Sequence, residues 1–510
     1  MPTDHLTYHA NTIGDRLAVL DDRPGESPRS MTYAEFNAHT NRLANGLVDL
    51  GVAVDDHVAW WGENSLETLC AMHAIRKAGA VSVPIPYRST DSEATYLLGN
   101  ADALVVIVDA AYAANVDRVQ DAVPGLRHVV VFGGDPASDR QRRFDDVLSS
   151  PETPTAEGVV ETTRTMIYTS GTTGRPKGAV RKVGGAPNQF NALLELLGLP
   201  QLDPLVFLTT GPLYHSGPSG FALRSQVLGG TIVTQHRFDA EDWLRLVDTY
   251  GVSSTFSAPT PIRRVTSLPP DVKAAYDVSS MRCMIANAAP WTMTLKEAYL
   301  EDFPSDSLWE IYGSTELSVC TALAPGDQLR KPGSCGQPAP GVEIELHDEE
   351  GNVISEPHVP GELFARSAGL FETYHKAHDR YLEDHREGFQ TVGDIAYRDE
   401  EGYLYICDRK KDMIITGGVN VYPAEVENVL DAHPEVAEVA VIGIPDGEWG
   451  EAVCAVVVPR SDAFDADDLQ TFATEHLSGP KRPKRVVTMT ELPKTGTGKV
   501  LKRDLRTHIG

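Results

Sequence analysis

The stretch that decides the fold is residues 165–178, with the sequence TMIYTSGTTGRPKG. A strand-like run at residues 165–168 leads into a loop with three glycines, four hydroxyl side chains and Lys177. Glycines let backbone N–H groups approach oxyanions, hydroxyls donate hydrogen bonds, and a lysine supplies a positive charge. The stretch therefore predicts a polyphosphate-binding loop.

This loop differs from a Walker A loop, whose pattern is G-x-x-x-x-G-K-[ST]. Here Lys177 follows Pro176 and precedes Gly178. The usual inference to a kinase or a P-loop NTPase does not apply. On composition alone, a surface turn rich in Gly and Thr is an equal alternative, and the complete ten-residue string favours phosphate binding.

Helical patterns alternate with strand-like runs through the first 250 residues. Helical patterns at residues 33–50 and 65–78 precede strand-like runs at residues 58–61 and 81–84. This alternation indicates βα units around largely parallel sheets. From about Gly341 the pattern changes to alternating strands with turn signals, which predicts a smaller antiparallel β subdomain.

The chain has 510 residues, more than one ordinary domain core accommodates. The charged run DRKKD begins at Asp408, directly after a strand-like run, and about a hundred residues follow it. We predict an α/β multidomain protein, with a large N-terminal domain at residues 1–408 and a small α+β C-terminal domain at residues 409–510.

The composition excludes several classes of protein. Hydrophobic residues make up 41% and charged residues 23% of the chain, as in globular proteins. The net charge of −27 repels polyanions, so no nucleic-acid partner is expected. The six cysteines form no C-x-x-C pair and fit a reducing cytoplasm. We read no signal peptide and no run of about 18 apolar residues, so integral membrane association is not expected.

Several motifs together resemble the adenylate-forming (ANL) superfamily, which includes acyl-CoA synthetases, luciferases and peptide-synthetase adenylation domains. The resemblance begins with YTSGTTGRPKG and covers residues 29–509. The form DRKKDMIITGG, from Asp408, is more similar to the acyl-CoA synthetase (fatty-acid–CoA ligase) branch. The other motifs follow in the family's order: YGSTE at 312–316, GD at 393–394, DR at 408–409, GGVNVYPAE at 417–425 and PKTGTGK at 493–499.

This resemblance implies an acid–thiol ligase. Such an enzyme uses ATP and Mg²⁺ to convert a carboxylic acid to its acyl-adenylate, and then forms a thioester with coenzyme A. The implied ATP-binding residues are Thr169, Ser170, Gly171, Thr172, Thr173, Gly174, Lys177, Ala288, Tyr312, Asp394 and Arg409. Tyr312 would stack on adenine, and Asp394 would hold the ribose hydroxyls.

The resemblance also implies the catalytic groups. Thr315 would donate to the α-phosphate, and Glu316 would bind Mg²⁺ as a hard oxygen ligand. Lys499 would reach the carboxylate and the bridging phosphate oxygen, and His215 would act as a neutral hydrogen-bonding group near the acyl carboxylate. Lys411 matches the hinge about which the mobile C-terminal domain turns.

Two further sets of residues follow from the resemblance. Gly417 and Gly418 would border the coenzyme A tunnel, where absent side chains leave room for a thin chain. The acyl pocket would be formed by Tyr214, Gly217, Ala258 and Asn287.

The sequence departs from the family pattern in two places. A glycine pair is common where this chain has Asn287 and Ala288, so we expect Asn287 to narrow the pocket or to bond a polar acyl group. The segment AVRK at residues 179–182 replaces an apolar run that frequently ends in Thr-His, and no physical reason for this change is apparent from the sequence.

Alternatives stay open at this stage. The acceptor could be a carrier protein instead of coenzyme A, and a luciferase-like oxidase or a non-catalytic binding protein could retain the fold. Aliphatic, aromatic and polycyclic acids all fit the motifs, with an apolar acid expected. Fatty acid metabolism is one such role, but Asn287 argues against assuming an ordinary straight-chain fatty acid. A homodimer is also left open.

Overall fold

The described residues form four β-sheets, which are the frame of the protein. The computed structural model describes residues 4–148, 150–153, 164–169, 175–182, 186–494 and 500–509. Two of the sheets are large and mainly parallel, and two are smaller. The predicted α/β multidomain fold is confirmed.

The first large sheet has nine strands in the order β16-β15-β14-β13-β12-β10-β11-β1-β2, numbered along the chain. Its central six strands are parallel, and antiparallel pairs close both ends. The strands are β1 (Leu17–Asp21), β2 (Arg29–Thr32), β10 (Val206–Thr209), β11 (Thr231–Thr234), β12 (Ser254–Ser257), β13 (Cys283–Ala286), β14 (Leu308–Ser314), β15 (Ser318–Leu323) and β16 (Gln337–Pro338).

The second large sheet has eight strands in the order β19-β9-β8-β4-β3-β5-β6-β7. The β8–β9 pair is antiparallel, with Thr169 opposite Lys177, so the predicted phosphate loop connects two strands of a hairpin. The strands are β3 (His57–Trp61), β4 (Val81–Ile85), β5 (Val105–Asp109), β6 (His128–Phe132), β7 (Arg142–Arg143), β8 (Arg164–Thr169), β9 (Lys177–Lys182) and β19 (Thr373–Tyr374).

The third sheet is wholly antiparallel and confirms the subdomain predicted from about Gly341 onward. Its strands are β17 (Glu343–His347), β18 (Gly361–Arg366), β20 (His385–Arg386), β21 (Phe389–Gln390), β22 (Asp394–Arg398) and β23 (Leu404–Arg409).

The fourth sheet belongs to the C-terminal part of the chain and has helices and apolar clusters of its own. It shares no described strand with the third sheet, which ends at Arg409. Its elements are β24 (Ile414–Thr416), β25 (Val419–Val421), α14 (Pro423–Leu430), β26 (Val436–Asp446), β27 (Gly450–Pro459), α15 (Ala466–His476), β28 (Arg485–Thr488) and α16 (Lys502–Ile509).

Helices pack on the large sheets, and several begin at capping residues. Thr32 and Thr90 each form a capping box with a glutamate three residues later, which satisfies free N–H groups at the first turn. The helices are α1 (His5–Thr12), α2 (Tyr33–Asp49), α3 (Leu66–Lys77), α4 (Asp91–Asn100), α5 (Ala110–Val119), α6 (Phe144–Val147), α7 (Pro187–Leu196), α8 (Ser216–Val227), α9 (Ala240–Tyr250), α10 (Pro259–Thr266), α11 (Pro270–Lys273), α12 (Met293–Asp302) and α13 (His378–Glu383).

The largest apolar core joins the two large sheets. It contains Trp60 from β3 together with Phe207 from β10 and Phe256 from β12, and it includes buried faces of α2 and α3. Burial of such side chains is the main stabilising contribution in a domain of this size. The core therefore fixes how the two sheets face each other, and the candidate site lies where they meet.

Two helical glycines provide a matched test of this packing. A Cβ at Gly46 in α2 would lie 2.4 Å from the carbonyl oxygen of Val147. Apart from its chain neighbours and the backbone of its own helix, no described atom lies within 4 Å of a Cβ at Gly99 in α4. We expect Gly46→Ala to destabilise the protein by about 1–3 kcal/mol through overpacking. Gly99→Ala should be neutral or stabilise by up to about 1 kcal/mol. Thermal unfolding measures both, and equal melting temperatures would contradict this packing.

Candidate active site

A cavity of about 1460 Å³ opens where the two large sheets, the antiparallel subdomain and the start of the C-terminal part meet. Its wall includes Thr169 at the end of β8, Ser216 at the start of α8 and Thr315 in the turn between β14 and β15. Gly393 and Lys411 contribute from the other side. Most of the predicted site residues that the structure describes converge on this cavity.

Glu316 is held firmly on the cavity wall. Only 7% of its surface is exposed. The hydroxyls of Thr169 and Tyr374 donate to its Oε1 over 2.9 and 3.0 Å. No hydrogen bond from a described residue reaches its Oε2. A hard oxygen with free acceptor capacity suits Mg²⁺. The described residues contain no group of three acidic, His or Cys side chains for a metal, so a bound Mg²⁺ would also need phosphate oxygens and water.

Thr315 lies at the N-terminal end of α8. Its Oγ1 is 2.9 Å from the Oγ of Ser216, the first residue of that helix. Arg181 donates to the backbone carbonyl of Thr315 and, over 2.9 Å, to that of Gly369. Because helix N-termini carry partial positive charge, this end of the cavity favours a negatively charged group.

Lys177 opens β9 and faces the cavity. Its Nζ lies 5.5 Å from the ring centroid of Tyr374. Burial, together with nearby Arg380, lowers the pKa of Lys177. The predicted phosphate-loop residues Ser170, Gly171, Thr172, Thr173 and Gly174 lie outside the described residues.

Asp394, Tyr312 and Arg409 form one group, joined by a hydrogen bond and an ion pair. The Tyr312 hydroxyl donates to Oδ2 of Asp394 over 2.6 Å, and Nε of Arg409 lies 3.2 Å from Oδ1. Burial and the Asp394 charge raise the pKa of Tyr312, which keeps its phenol protonated as a donor. Of the three, only Arg409 lines the cavity, and the other two lie behind it.

His215 faces the cavity as a neutral imidazole. Burial lowers its pKa to about 3, and its Nε2 is buried without a hydrogen-bond partner among the described residues. Its ring packs 4.2 Å from that of Tyr214. An unpartnered ring nitrogen on the wall leaves one polar group available to a bound molecule.

The predicted acyl-pocket residues divide into two pairs. Gly217 and Asn287 line the cavity, whereas Tyr214 and Ala258 do not. A Cβ on Gly217 would lie 2.4 Å from the Phe256 ring, so this position has no room for a side chain.

Asn287 uses its amide internally. Its Nδ2 donates to the carbonyl of Ile311 over 2.6 Å, and its Oδ1 accepts from the N–H of Ala288. Ala288 also lines the cavity and adopts φ +71°, a conformation that favours glycine. Asn287 therefore supports the wall instead of offering its amide to an acyl group.

The predicted coenzyme A residues lie apart from the cavity. Gly417 and Gly418 form the turn between β24 and β25 with φ of +57° and +78°. The N–H of Gly417 donates to the carbonyl of Trp449 over 2.9 Å, and a Cβ there would lie 2.6 Å from the Trp449 ring. Lys411 lines the cavity, while Lys499 lies outside the described residues.

The C-terminal part is tied to the segment around Lys411 by ion pairs from α16. Lys502 lies 3.3 Å from Asp408 and 2.9 Å from Glu427, and Arg506 lies 2.9 Å from Asp412. The Lys502 side chain is partly buried, and Glu427 and Asp408 raise its pKa against the effect of burial.

Many residues of the cavity wall were not predicted from the sequence, among them Tyr374, Arg181, Phe190 and Arg224. Tyr374 lies 58 residues beyond Glu316 in the chain, and no motif marks it. Arg181 belongs to the segment that departs from the family pattern, which was a usable signal. Arg224 lies within α8 with no local sequence signal.

Comparison with known proteins agrees with the geometry. The chain matches the family described as AMP-binding enzyme over residues 6–375 and the AMP-binding enzyme C-terminal domain over residues 425–499. It is 33% identical to the indoleacetate–CoA ligase of Aromatoleum aromaticum over 96% of each chain. It is also 33% identical to the long-chain-fatty-acid–CoA ligase FadD13 of Mycobacterium tuberculosis, over 97% of this chain and 96% of that one.

A solved structure gives the same result. The anthranilate CoA ligase AuaEII in complex with anthranoyl-AMP superposes with a TM-score of 0.90, covering 99% of this chain and 96% of that one at 26% identity. The fold and the site thus define an adenylate-forming enzyme.

The chain belongs to the AMP-binding enzyme family and to its acyl-CoA synthetase branch. It is an AMP-forming acid–thiol ligase, which uses ATP to form an acyl-adenylate and coenzyme A to form the thioester. Within the described ranges, no helix combines the length and the apolarity that crossing a membrane requires.

The buried imidazole predicts a pH dependence of stability. The unfolded chain protonates His215 near its ordinary pKa of 6.5, whereas the folded pKa is about 3. The contribution of neutral His215 to the free energy of unfolding is therefore fully present above pH 6.5, and it is lost as the pH falls towards 3. Between pH 7 and pH 5, we expect the wild type to lose about 2 kcal/mol more than His215→Asn in chemical unfolding. The exposed variant His476→Asn is the control, and parallel curves for wild type and His215→Asn would contradict a neutral buried imidazole.

Proposed function

We propose that the acid carboxylate attacks the α-phosphorus of ATP at the N-terminal end of α8, between Thr315 and His215. The observation that carries this proposal is the convergence of Ser216, Thr315 and Glu316 on one cavity wall, with Ser216 and Thr315 in contact at 2.9 Å. The helix N-terminus and the hydroxyls suit a developing negative charge, and neutral His215 adds a polar contact without adding charge.

Two negatively charged reactants must be brought together, so the site has to supply positive charge. Lys177, Arg409 and Lys411 line the same cavity. We assign Lys177 and the loop residues 169–174 to the phosphates of ATP. Preorganised cations of this kind stabilise the charge of the transition state.

Glu316 is the proposed Mg²⁺ ligand. Its carboxylate is fixed by Thr169 and Tyr374 through Oε1. A bound Mg²⁺ would neutralise phosphate charge and favour departure of pyrophosphate. The two hydroxyl donors orient the carboxylate towards the phosphates.

Asp394 is the proposed ribose-binding residue, with Arg409 beside it. The carboxylate already accepts from Tyr312, which fixes its orientation, and further lone pairs stay available for ribose hydroxyls. Ala288 on the cavity wall and Tyr312 behind it are assigned to the adenine end.

The C-terminal part, residues 409–510, is proposed to act as a mobile domain beside an N-terminal domain of residues 1–408. Lys499 would complete the adenylation site, and rotation about Lys411 would bring Gly417 and Gly418 to coenzyme A.

Coenzyme A is favoured over a carrier protein as acceptor, because the similar proteins named above are CoA ligases. All six cysteines are free, which supports a cytoplasmic location.

The overall reaction is tested with a panel of acids. Protein, ATP and Mg²⁺ are incubated with aliphatic, aromatic and polycyclic acids, with and without coenzyme A, and mass spectrometry measures AMP, acyl-adenylate and acyl-CoA. We expect acyl-CoA from one class of acid. Adenylate without thioester would point to another acceptor, and the absence of AMP with every acid would contradict the proposal.

The role of Lys499 is tested by separating the two half-reactions. Lys499→Ala should reduce adenylate formation by roughly 10² to 10³, the scale of one lost preorganised electrostatic contact. Thioester formation from supplied acyl-adenylate should change much less. Arg503→Ala, which removes an exposed cation from α16, serves as the control. Equal losses in both half-reactions would exclude a lysine that acts only in adenylation.

A further inference from the structure

Arg224 is a cation on the cavity wall with an unusual environment. It lies on α8, and its Nη1 donates to the carbonyl of Gly220 over 2.7 Å. Its guanidinium carbon lies 3.7 Å from the ring centroid of Phe190. A Cβ on Gly220 would lie 2.9 Å from Nη1, so the glycine makes room for the side chain to lie along the helix.

The arginines of the cavity wall fall into two groups. Arg224 and Arg181 form no ion pair with a carboxylate among the described residues, unlike the other arginines of the wall. Those others each pair with an acidic side chain: Arg76 with Asp4, Arg164 with Asp55 and Glu372, Arg380 with Glu383, and Arg409 with Asp394.

The charge of Arg224 is not compensated within the described protein. Burial, and then the neighbouring cation Arg181, lower the pKa of Arg224 to about 9, so the group is still protonated at neutral pH. A guanidinium has five N–H donors, and a single hydrogen bond to the Gly220 carbonyl engages one nitrogen. Arg224 is partly buried on the cavity wall and has no carboxylate partner among the described residues, so its free N–H donors are available to an anionic group of a bound molecule.

Arg181 reinforces the positive field. Among the described residues it bonds the backbone carbonyls of Thr315 and Gly369, which are neutral acceptors. Burial lowers its pKa to about 10, and it keeps its charge. The departure from the family pattern at residues 179–182 thus places a second guanidinium beside the pocket.

Arg224 lies further along α8 than the proposed reaction site at Ser216, in the part of the cavity that we assign to the acid. The carbonyl of Gly220, which accepts from Nη1 of Arg224, lies four residues beyond Ser216. This spacing is ~6 Å along the helix axis. Apolar residues of the cavity wall surround this part of α8, among them Leu194, Phe221 and Phe256. An anion at Arg224 would therefore be separated from the reacting carboxylate by an apolar spacer.

We propose that Arg224 binds a second carboxylate of the acid substrate, so that the preferred substrate is a dicarboxylic acid. This inference rests on the adenylation reaction proposed above and replaces the expected apolar monoacid. Phe190 covers one face of the guanidinium, which leaves its edge for an in-plane, two-point contact with a carboxylate. The remote carboxylate takes no part in the chemistry: the reacting carboxylate oxygen bonds the α-phosphorus, and the bond to pyrophosphate breaks.

The test compares diacids with their half-methyl esters, which keep the length and lose the remote charge. A graded series of straight-chain and aromatic diacids, beginning with succinic acid, is assayed for AMP release with ATP, Mg²⁺ and coenzyme A. For the diacid of best length, we expect kcat/KM to exceed that of its half-ester by about 10- to 100-fold, the scale of a charge-assisted contact.

Variants assign this preference to Arg224. Arg224→Met should remove it by lowering kcat/KM for the diacid, with the half-ester little changed. Arg224→Lys keeps the charge without the two-point geometry and should retain part of the preference. Arg118→Met, which removes an exposed arginine remote from the cavity, should retain all of it. If Arg224→Met does not fold, as judged by thermal unfolding, the lysine variant still provides the comparison.

The outcomes separate this inference from the general function. Higher kcat/KM with half-esters or simple monoacids, or an unchanged preference in both Arg224 variants, would overturn the diacid inference and leave the ligase activity standing. No AMP release with any acid would instead overturn the proposed function on which the inference rests.

Discussion

The site depends on one carboxylate that joins the two large sheets. Glu316 follows β14 of the first sheet, and it accepts hydrogen bonds from Thr169 of β8 and Tyr374 of β19 in the second. A buried carboxylate needs such donors, because an unpaired charge inside a protein is strongly unfavourable. The same contacts fix the turn that contains Thr315, so the reactive end of the cavity has a defined position relative to the phosphate loop.

Cations line this cavity although the protein as a whole is very acidic. The chain carries a formal net charge of −27, yet Lys177, Arg181, Arg224 and Arg409 all line one cavity. A surface that repels polyanions and a cavity that attracts small anions are compatible, because low-dielectric walls focus the field of the nearby cations into the cavity, whereas water and salt screen the distant surface charges. The local cations therefore favour small anions in the cavity although the protein as a whole repels polyanions.

Local patterns predicted the parts of the fold that depend on local physics. The helical pattern at residues 33–50 became α2 (Tyr33–Asp49), since its apolar spacing and its capping box act within a few residues of chain. The turn-rich pattern after Gly341 became the antiparallel sheet for the same reason. Glycine- and hydroxyl-rich motifs likewise marked the cavity wall at Thr315 and Glu316.

Contacts between distant segments could not be predicted in this way. Tyr374 reaches Glu316 through the pairing of β19 with β9, which no local pattern specifies. Asn287 looked available for a ligand, but its amide bonds the Ile311 carbonyl of a neighbouring strand. Arg224 has neutral neighbours in sequence, and its isolation from carboxylates emerges only from the three-dimensional arrangement.

The ion pairs of the partly buried Lys502 have a consequence for domain movement. It bridges Asp408, before the proposed hinge at Lys411, and Glu427, beyond it. Any rotation about Lys411 separates Lys502 from Asp408 and keeps it beside Glu427, whereas Arg506 and Asp412 travel together. The two orientations therefore differ by the ion pairs that cross the hinge, which among the described residues include Lys502–Asp408 and Arg263–Asp431. The Lys502–Asp408 pair stabilises the orientation described here. The equilibrium between the two orientations therefore depends on which group pairs with Asp408 after Lys502 has moved away.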